Sequence, residues 1–157
     1  MSSRIGDQVG DEEVKRILDR IYRRLLRASQ EEVLERRRLR RVSSVEEFRK
    51  AVKSGRPVVV VFTSPMCPGC QMYKPMVEEA ARRLEDVEFI EVDAYELPEL
   101  AWEYGVTGLP ATVIFVGGEP VDGFMGAVDA DTLAWYVRRA VRRGTLDHVH
   151  RVGEEEA

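Results

Sequence analysis

The apolar positions change period several times along the chain. Val14, Ile17, Leu18, Ile21, Tyr22, Leu25 and Leu26 recur every three to four residues with Arg, Lys and Asp between them, which predicts an amphipathic helix over residues 11–27. Ser29 followed by Glu32 reads as a capping box that opens a second, short helix. Ser43 or Ser44 starts another helix through Val45, Phe48 and Val52, which Gly55 stops. The run Val58-Val59-Val60-Val61-Phe62 after Pro57 has no polar partner face, so it predicts a strand buried on both sides. Thr63-Ser64-Pro65-Met66 forms the loop that leaves it. A helix is expected from Pro68 to Leu84, kinked by Pro75.

Residues Val87 to Val92 alternate and read as a strand, Leu97 to Tyr104 as a short helix, and Ala111 to Val116 as a further strand. Gly117-Gly118 is a hairpin turn leading to a partner strand, Val121 to Met125. Asp129 or Asp131 caps a last helix whose apolar face carries Leu133, Tyr136, Val137, Ala140 and Val141. The order from residue 43 onward is α-β-α-β-α-β-β-α. It implies an α/β fold in which a parallel core ends in an antiparallel hairpin, a mixed central sheet with helices on both faces. Residues 1–42 read as an N-terminal helical, partly basic extension, 43–146 as the folded domain, and 147–157 as a flexible C-terminal tail.

Composition narrows the function. Of the 24 basic residues 20 are Arg, Asn is absent and Gln occurs three times, a usage expected of a protein adapted to heat. The net charge of −4 divides into +4 over residues 1–42 and −8 over 43–157, which argues against nucleic acid as a partner. No apolar run is long enough for a membrane span, and the first residues carry no secretory signal, so a cytoplasmic location is expected. The Arg36–Arg41 cluster reads as a solvated basic linker near Glu31, Glu32 and Glu35. The stripe of the first helix reads as packing on its own domain, with a homodimer through that helix as the alternative.

Both cysteines fall in Cys67-Pro68-Gly69-Cys70. A cytosolic chain with one C-x-x-C has no disulfide framework to build, so the pair is redox-active or metal-binding. The other soft ligands, His148 and His150, are one residue apart, unlike the three-to-five-residue spacing of a zinc finger, so no metal is expected. Pro68 suits the first position of a helix, which makes Cys67 its N-cap. Its sulfur can accept from the N–H groups of Gly69 and Cys70 at the positive helix end, which favours the thiolate. Cys70, one turn in, sits deeper and stays protonated longer. Cys67 is thus expected to attack a disulfide and Cys70 to resolve the mixed disulfide. Tyr73, Trp102 and Trp135 read as packing residues.

The segments VVVVFTSPMCPGCQMYKP, FIEVDA and YGVTGLPATVIFVGGEPV, with a final Gly126, resemble the thioredoxin family over about residues 43–145. The resemblance implies a thioredoxin fold in which Pro110 is cis and faces the Cys pair. It implies substrates that dock as extended segments against the backbone of Leu109, in the manner of an added strand. It implies protein disulfides as substrates, a thioredoxin-reductase-like electron donor, and no bound cofactor. Three departures bear on the chemistry. Met66 stands where thioredoxins usually have Trp, Pro68-Gly69 stands for their Gly-Pro, and Val61 stands for the buried Asp thought to help deprotonate the resolving cysteine. With no His in the motif the reading is a protein-disulfide reductase. The rivals are a glutaredoxin-like or disulfide-forming enzyme and a non-catalytic adaptor.

Overall fold

The computed structural model describes the backbone of residues 2–36 and 39–156, and the side chains of residues 10–32 and 39–145. The chain divides into two units, Met1–Arg36 and Arg37–Ala157. The first is a single helix, α1 (Ser2–Arg36). The helix break expected at Ser29 does not occur. No Gly or Pro lies between residues 11 and 36, so Ser29 and Gln30 cost only weak propensity when the helix continues through them. Along this helix the apolar stripe Val14, Ile17, Leu18, Ile21, Tyr22, Leu25 and Leu26 is exposed at 44–64% per residue.

In the second unit the order is β1 (Arg40–Val42), α2 (Val45–Val52), β2 (Val58–Thr63), α3 (Pro68–Arg83), β3 (Glu88–Asp93), α4 (Pro98–Glu103), β4 (Ala111–Val116), β5 (Glu119–Met125) and α5 (Ala130–Glu156). The five strands form one sheet in the order β1-β3-β2-β4-β5. β1, β3 and β2 are parallel, while β4 and β5 are antiparallel to their neighbours. β2 is central and every residue of it is buried, which explains its unbroken β-branched run.

Alternate residues of β2 serve two cores. Val58, Val60 and Phe62 face Phe48 of α2 and Leu100 and Ala101 of α4. Val59 and Val61 face Tyr73, Val77 and Ala80 of α3 and Leu133 and Val137 of α5. Ser44 caps α2 by accepting from the Glu47 N–H at 3.1 Å, and the Asp129 carboxylate accepts from the Thr132 N–H at 2.7 Å at the start of α5.

Two sequence expectations change here. β1 lies inside the segment read as a basic linker. Its residues, Arg40-Arg41-Val42, carry no strand pattern, and pairing with β3 creates the strand. Arg40 reaches Glu88 at 2.7 Å and Arg41 reaches Glu96 at 2.9 Å, so these arginines are ion-paired on the sheet edge rather than free in a linker. Arg37 and Arg38 lie outside the described residues. Helix α5 continues through Glu156, across the residues expected as a tail, and the side chains of His148 and His150 lie outside those described.

Candidate active site

β2 ends at Thr63, and the chain turns through Ser64, Pro65 and Met66 before α3 begins. Cys67 is the N-cap of α3, with extended backbone, and Pro68 occupies the first turn where its missing N–H costs nothing. The Cys70 N–H donates to Cys67 Sγ at 3.2 Å, one of the two donors expected for that sulfur. The helix start therefore presents an amide and its partial positive charge to the sulfur. Both cysteines are free thiols. Cys67 is partly exposed, whereas Cys70 is 4% exposed. Burial, with a hydrogen bond to Cys67 second, pushes the Cys70 thiol up to about 11, and the negative charge of Glu91 adds to the rise. A thiol so placed stays protonated at neutral pH while its neighbour meets solvent.

The peptide bond between Leu109 and Pro110 is cis, and Pro110 is buried. A Cβ placed on Gly69 would lie 3.5 Å from Pro110 Cδ and 4.0 Å from Cys67 Sγ, so the CPGC turn packs against the ring of Pro110. Cys67, Met66, Gly108 and Leu109 line one open groove of about 600 Å³. Tyr95 and Trp102 line the same groove. Met66 is 89% exposed, Trp102 86% and Tyr95 76%, which gives the groove an apolar, aromatic rim.

Trp102, read from the sequence as a packing residue, lies outside the core. It projects from the exposed side of the short helix α4, whose inner face is filled by Leu100 and Ala101. Trp135 is also exposed, with the Arg139 guanidinium 5.1 Å from its ring centre. Tyr73 is fully buried, and its Oη is joined by a hydrogen bond of 2.8 Å to Thr112 Oγ1. Tyr95 carries no signal in the sequence, because its placement depends on Asp93. The Asp93 carboxylate accepts from the N–H groups of Tyr95 and Glu96 at 2.8 and 3.3 Å, fixing the turn that leads to α4.

On the other side of the motif, Cys70, Gln71 and Lys74 of α3 share a smaller cleft of about 180 Å³ with Thr63 and Glu91. Val61 is 1% exposed and pairs across the sheet with Glu91. Among the described residues, no helix is long and apolar enough to cross a membrane.

The Thioredoxin family profile matches residues 40–139. Thioredoxin 1 of Nostoc sp. is 39% identical over 79 residues, covering 50% of this chain and 74% of that protein. Thioredoxin 1 of Synechococcus elongatus is 38% identical over 86 residues, covering 54% and 80%. Among solved structures, a mutant thioredoxin from Halobacterium salinarum superimposes with a TM-score of 0.64 at 28% identity, covering 68% of this chain and 93% of that one. Fasciola hepatica thioredoxin gives 0.60 at 32% identity, covering 65% and 99%. With the profile spanning most of the chain and an exposed and a buried thiol held at C-x-x-C spacing, the chain belongs to the thioredoxin family and is a thiol–disulfide oxidoreductase.

Proposed function

We propose that this chain works in the reducing direction on protein disulfides, with Cys67 as nucleophile and Cys70 as resolving thiol. The observation that carries the reading is the pairing of a partly exposed sulfur at a helix start, open to a groove, with a buried thiol one turn behind it. Cys67 attacks a substrate disulfide, forming a mixed disulfide and releasing one substrate thiolate. Cys70 then attacks Cys67 Sγ, releases the second thiolate and leaves the Cys67–Cys70 disulfide. The backbone of Leu109 offers edge hydrogen bonds to an extended substrate segment, and Pro110 holds that backbone against the CPGC turn. Met66, Pro68 and Gly69 surround the reacting sulfur and set its poise. No His stands in the motif to stabilise the Cys67 thiolate, which favours a reductant.

The test is turnover of a protein disulfide with dithiothreitol as electron source, together with redox titration of the Cys pair. The expected result is turnover abolished by Cys67→Ser and a potential near the about −270 mV general to thioredoxins. A potential near about −120 mV, that of a strong oxidase, would overturn the direction. In the cell the pair would be recharged by a thioredoxin-reductase-like donor in the cytoplasm. The Arg-rich, Asn-free composition supports a heat-adapted source.

Residues 1–36 form an appendage whose proposed partner is a second copy of itself. The apolar positions Val14, Ile17, Leu18, Ile21, Tyr22 and Leu25 read the same in both directions about the bond between residues 19 and 20. An antiparallel pair therefore sets 14 against 25, 17 against 22 and 18 against 21. Glu12 of the acidic start then lies across from Arg27 of the second copy. Sedimentation should show a dimer for the full chain and a monomer for residues 37–157. A monomeric full chain at assay concentration rejects this pairing.

A further inference from the structure

Resolution of the mixed disulfide requires a buried thiol to lose its proton. Cys70 is that thiol, and Val61, on the strand behind it, offers no base. The register between β2 and β3 sets Glu91 directly beside Val61. Glu91 is the carboxylate that the sheet delivers to this level, and it lines the same narrow cleft as Cys70. The cleft, of about 180 Å³, is large enough to hold water. We propose that Glu91 accepts the proton of Cys70 during resolution, directly or through one water, and so stands in for the carboxylate that Val61 lacks. This inference rests on the reductase reading above.

The surroundings favour Glu91 over the neighbouring acid. Asp93 also borders the cleft, but its carboxylate is committed to the Tyr95 and Glu96 amides and lies 3.4 Å from Arg41. Glu91 accepts from Thr63 Oγ1 at 2.8 Å through Oε1, while Oε2 lies 3.5 Å from Lys74 Nζ. That leaves Glu91 anchored but still open to the cleft. The charged and titratable groups around it are Lys74 and Cys70 from α3, Arg41 from β1 and Asp93 on its own strand. The negative charge of Glu91 opposes a thiolate on Cys70. Once Glu91 holds the proton that opposition vanishes, so transfer between the two groups is self-assisting. Formation of the mixed disulfide also removes the Cys67 charge that opposes ionisation of Cys70.

The step balances as follows. The Cys70 S–H proton passes to the Glu91 carboxylate, and the Cys70 thiolate attacks Cys67 Sγ. The Cys67–Cys70 bond forms as the bond from Cys67 to the substrate sulfur breaks. The substrate leaves as a thiolate and takes a proton from Glu91 or from solvent. The protein dithiol is oxidised by two electrons and the substrate disulfide is reduced by two.

Glu91 acts through Cys70, so it is a positioning and proton-holding residue rather than one that touches substrate. The test is stopped-flow mixing of reduced protein with an aromatic nitrobenzoate disulfide whose thiolate is coloured. The first release of colour reports attack by Cys67 and the second reports resolution by Cys70. For Glu91→Gln, the first release should keep its rate. The second should slow by about tenfold or more near neutral pH, and its rate should rise with hydroxide up to alkaline pH. Glu91→Asp should restore part of the rate. An unchanged second phase, or one slowed equally at every pH, overturns the proposal, because neither assigns a proton to Glu91. Absence of any Cys67-dependent release from the wild-type protein would instead refute the underlying reading.

Discussion

The hydrogen bond between Tyr73 and Thr112 ties the helix that carries Cys70 to the strand that follows Pro110, and its energy can be isolated. Both residues are 1% exposed, and the oxygens are 2.8 Å apart. Tyr73→Phe removes one partner and leaves Thr112 Oγ1 buried without it. Thr112→Val does the reverse to Tyr73 Oη. Each single change should therefore cost about 1–3 kcal/mol, the desolvation penalty of a stranded polar atom. The double variant strands neither atom and nearly conserves shape, so its cost should fall about 1–2 kcal/mol below the sum of the singles. The assay is denaturant unfolding of the four proteins at pH 7, where Tyr73, pushed up to about 12 by burial, is protonated. Additive costs across the cycle would show that the two hydroxyls do not share a bond that matters to stability.

Alkaline stability should depend on redox state. Burial is the leading cause that raises Cys70 from the usual 9.0 to about 11, and burial raises Tyr73 from 10.0 to about 12. Both groups ionise more readily when unfolded, so their contributions are complete below pH 9 and fade as pH climbs toward 12. In the oxidised protein Cys70 has no proton to lose, so unfolding midpoints should start to fall about one pH unit later than in the reduced protein. Parallel curves for the two forms would contradict the burial of the Cys70 thiol. Gly144→Ala should destabilise despite the helix propensity gained within α5. The added Cβ would meet Val116 Cβ at 2.7 Å and its methyls at 2.8 and 3.0 Å, and Val116 has no flexible end to yield. A cost of about 1–3 kcal/mol in unfolding free energy is expected, and a gain in stability would refute the close packing of α5 on β4.

How much of this was legible in the sequence depended on whether a feature announced itself locally. The unbroken run Val58–Phe62 marked the central strand because burial on both faces leaves no polar alternation. The caps at Ser44 and Cys67 were readable because a capping residue acts within three positions of itself. β1 was not readable. Two of its three residues are exposed arginines, and only β3, about fifty positions away, makes them a strand. The exposure of Trp102 was missed for a related reason. Helix α4 has only six residues, too few for periodicity to separate an inner face from an outer one. Glu91 was hidden most thoroughly. In sequence it is the polar half of an alternating strand, and its closeness to Cys70 follows only from the β2–β3 register.

The division of labour between the two sulfurs is tested most directly by capture of a disulfide-bonded protein substrate by single-cysteine variants, read by non-reducing electrophoresis and peptide mass. With Cys70 replaced by Ser, the mixed disulfide should accumulate, and its bond should map to Cys67. With Cys67 replaced by Ser, the buried Cys70 should capture nothing. Equal capture by both variants, or a bond mapped to Cys70, would contradict the assignment of an attacking thiol at the helix start and a resolving thiol beneath it.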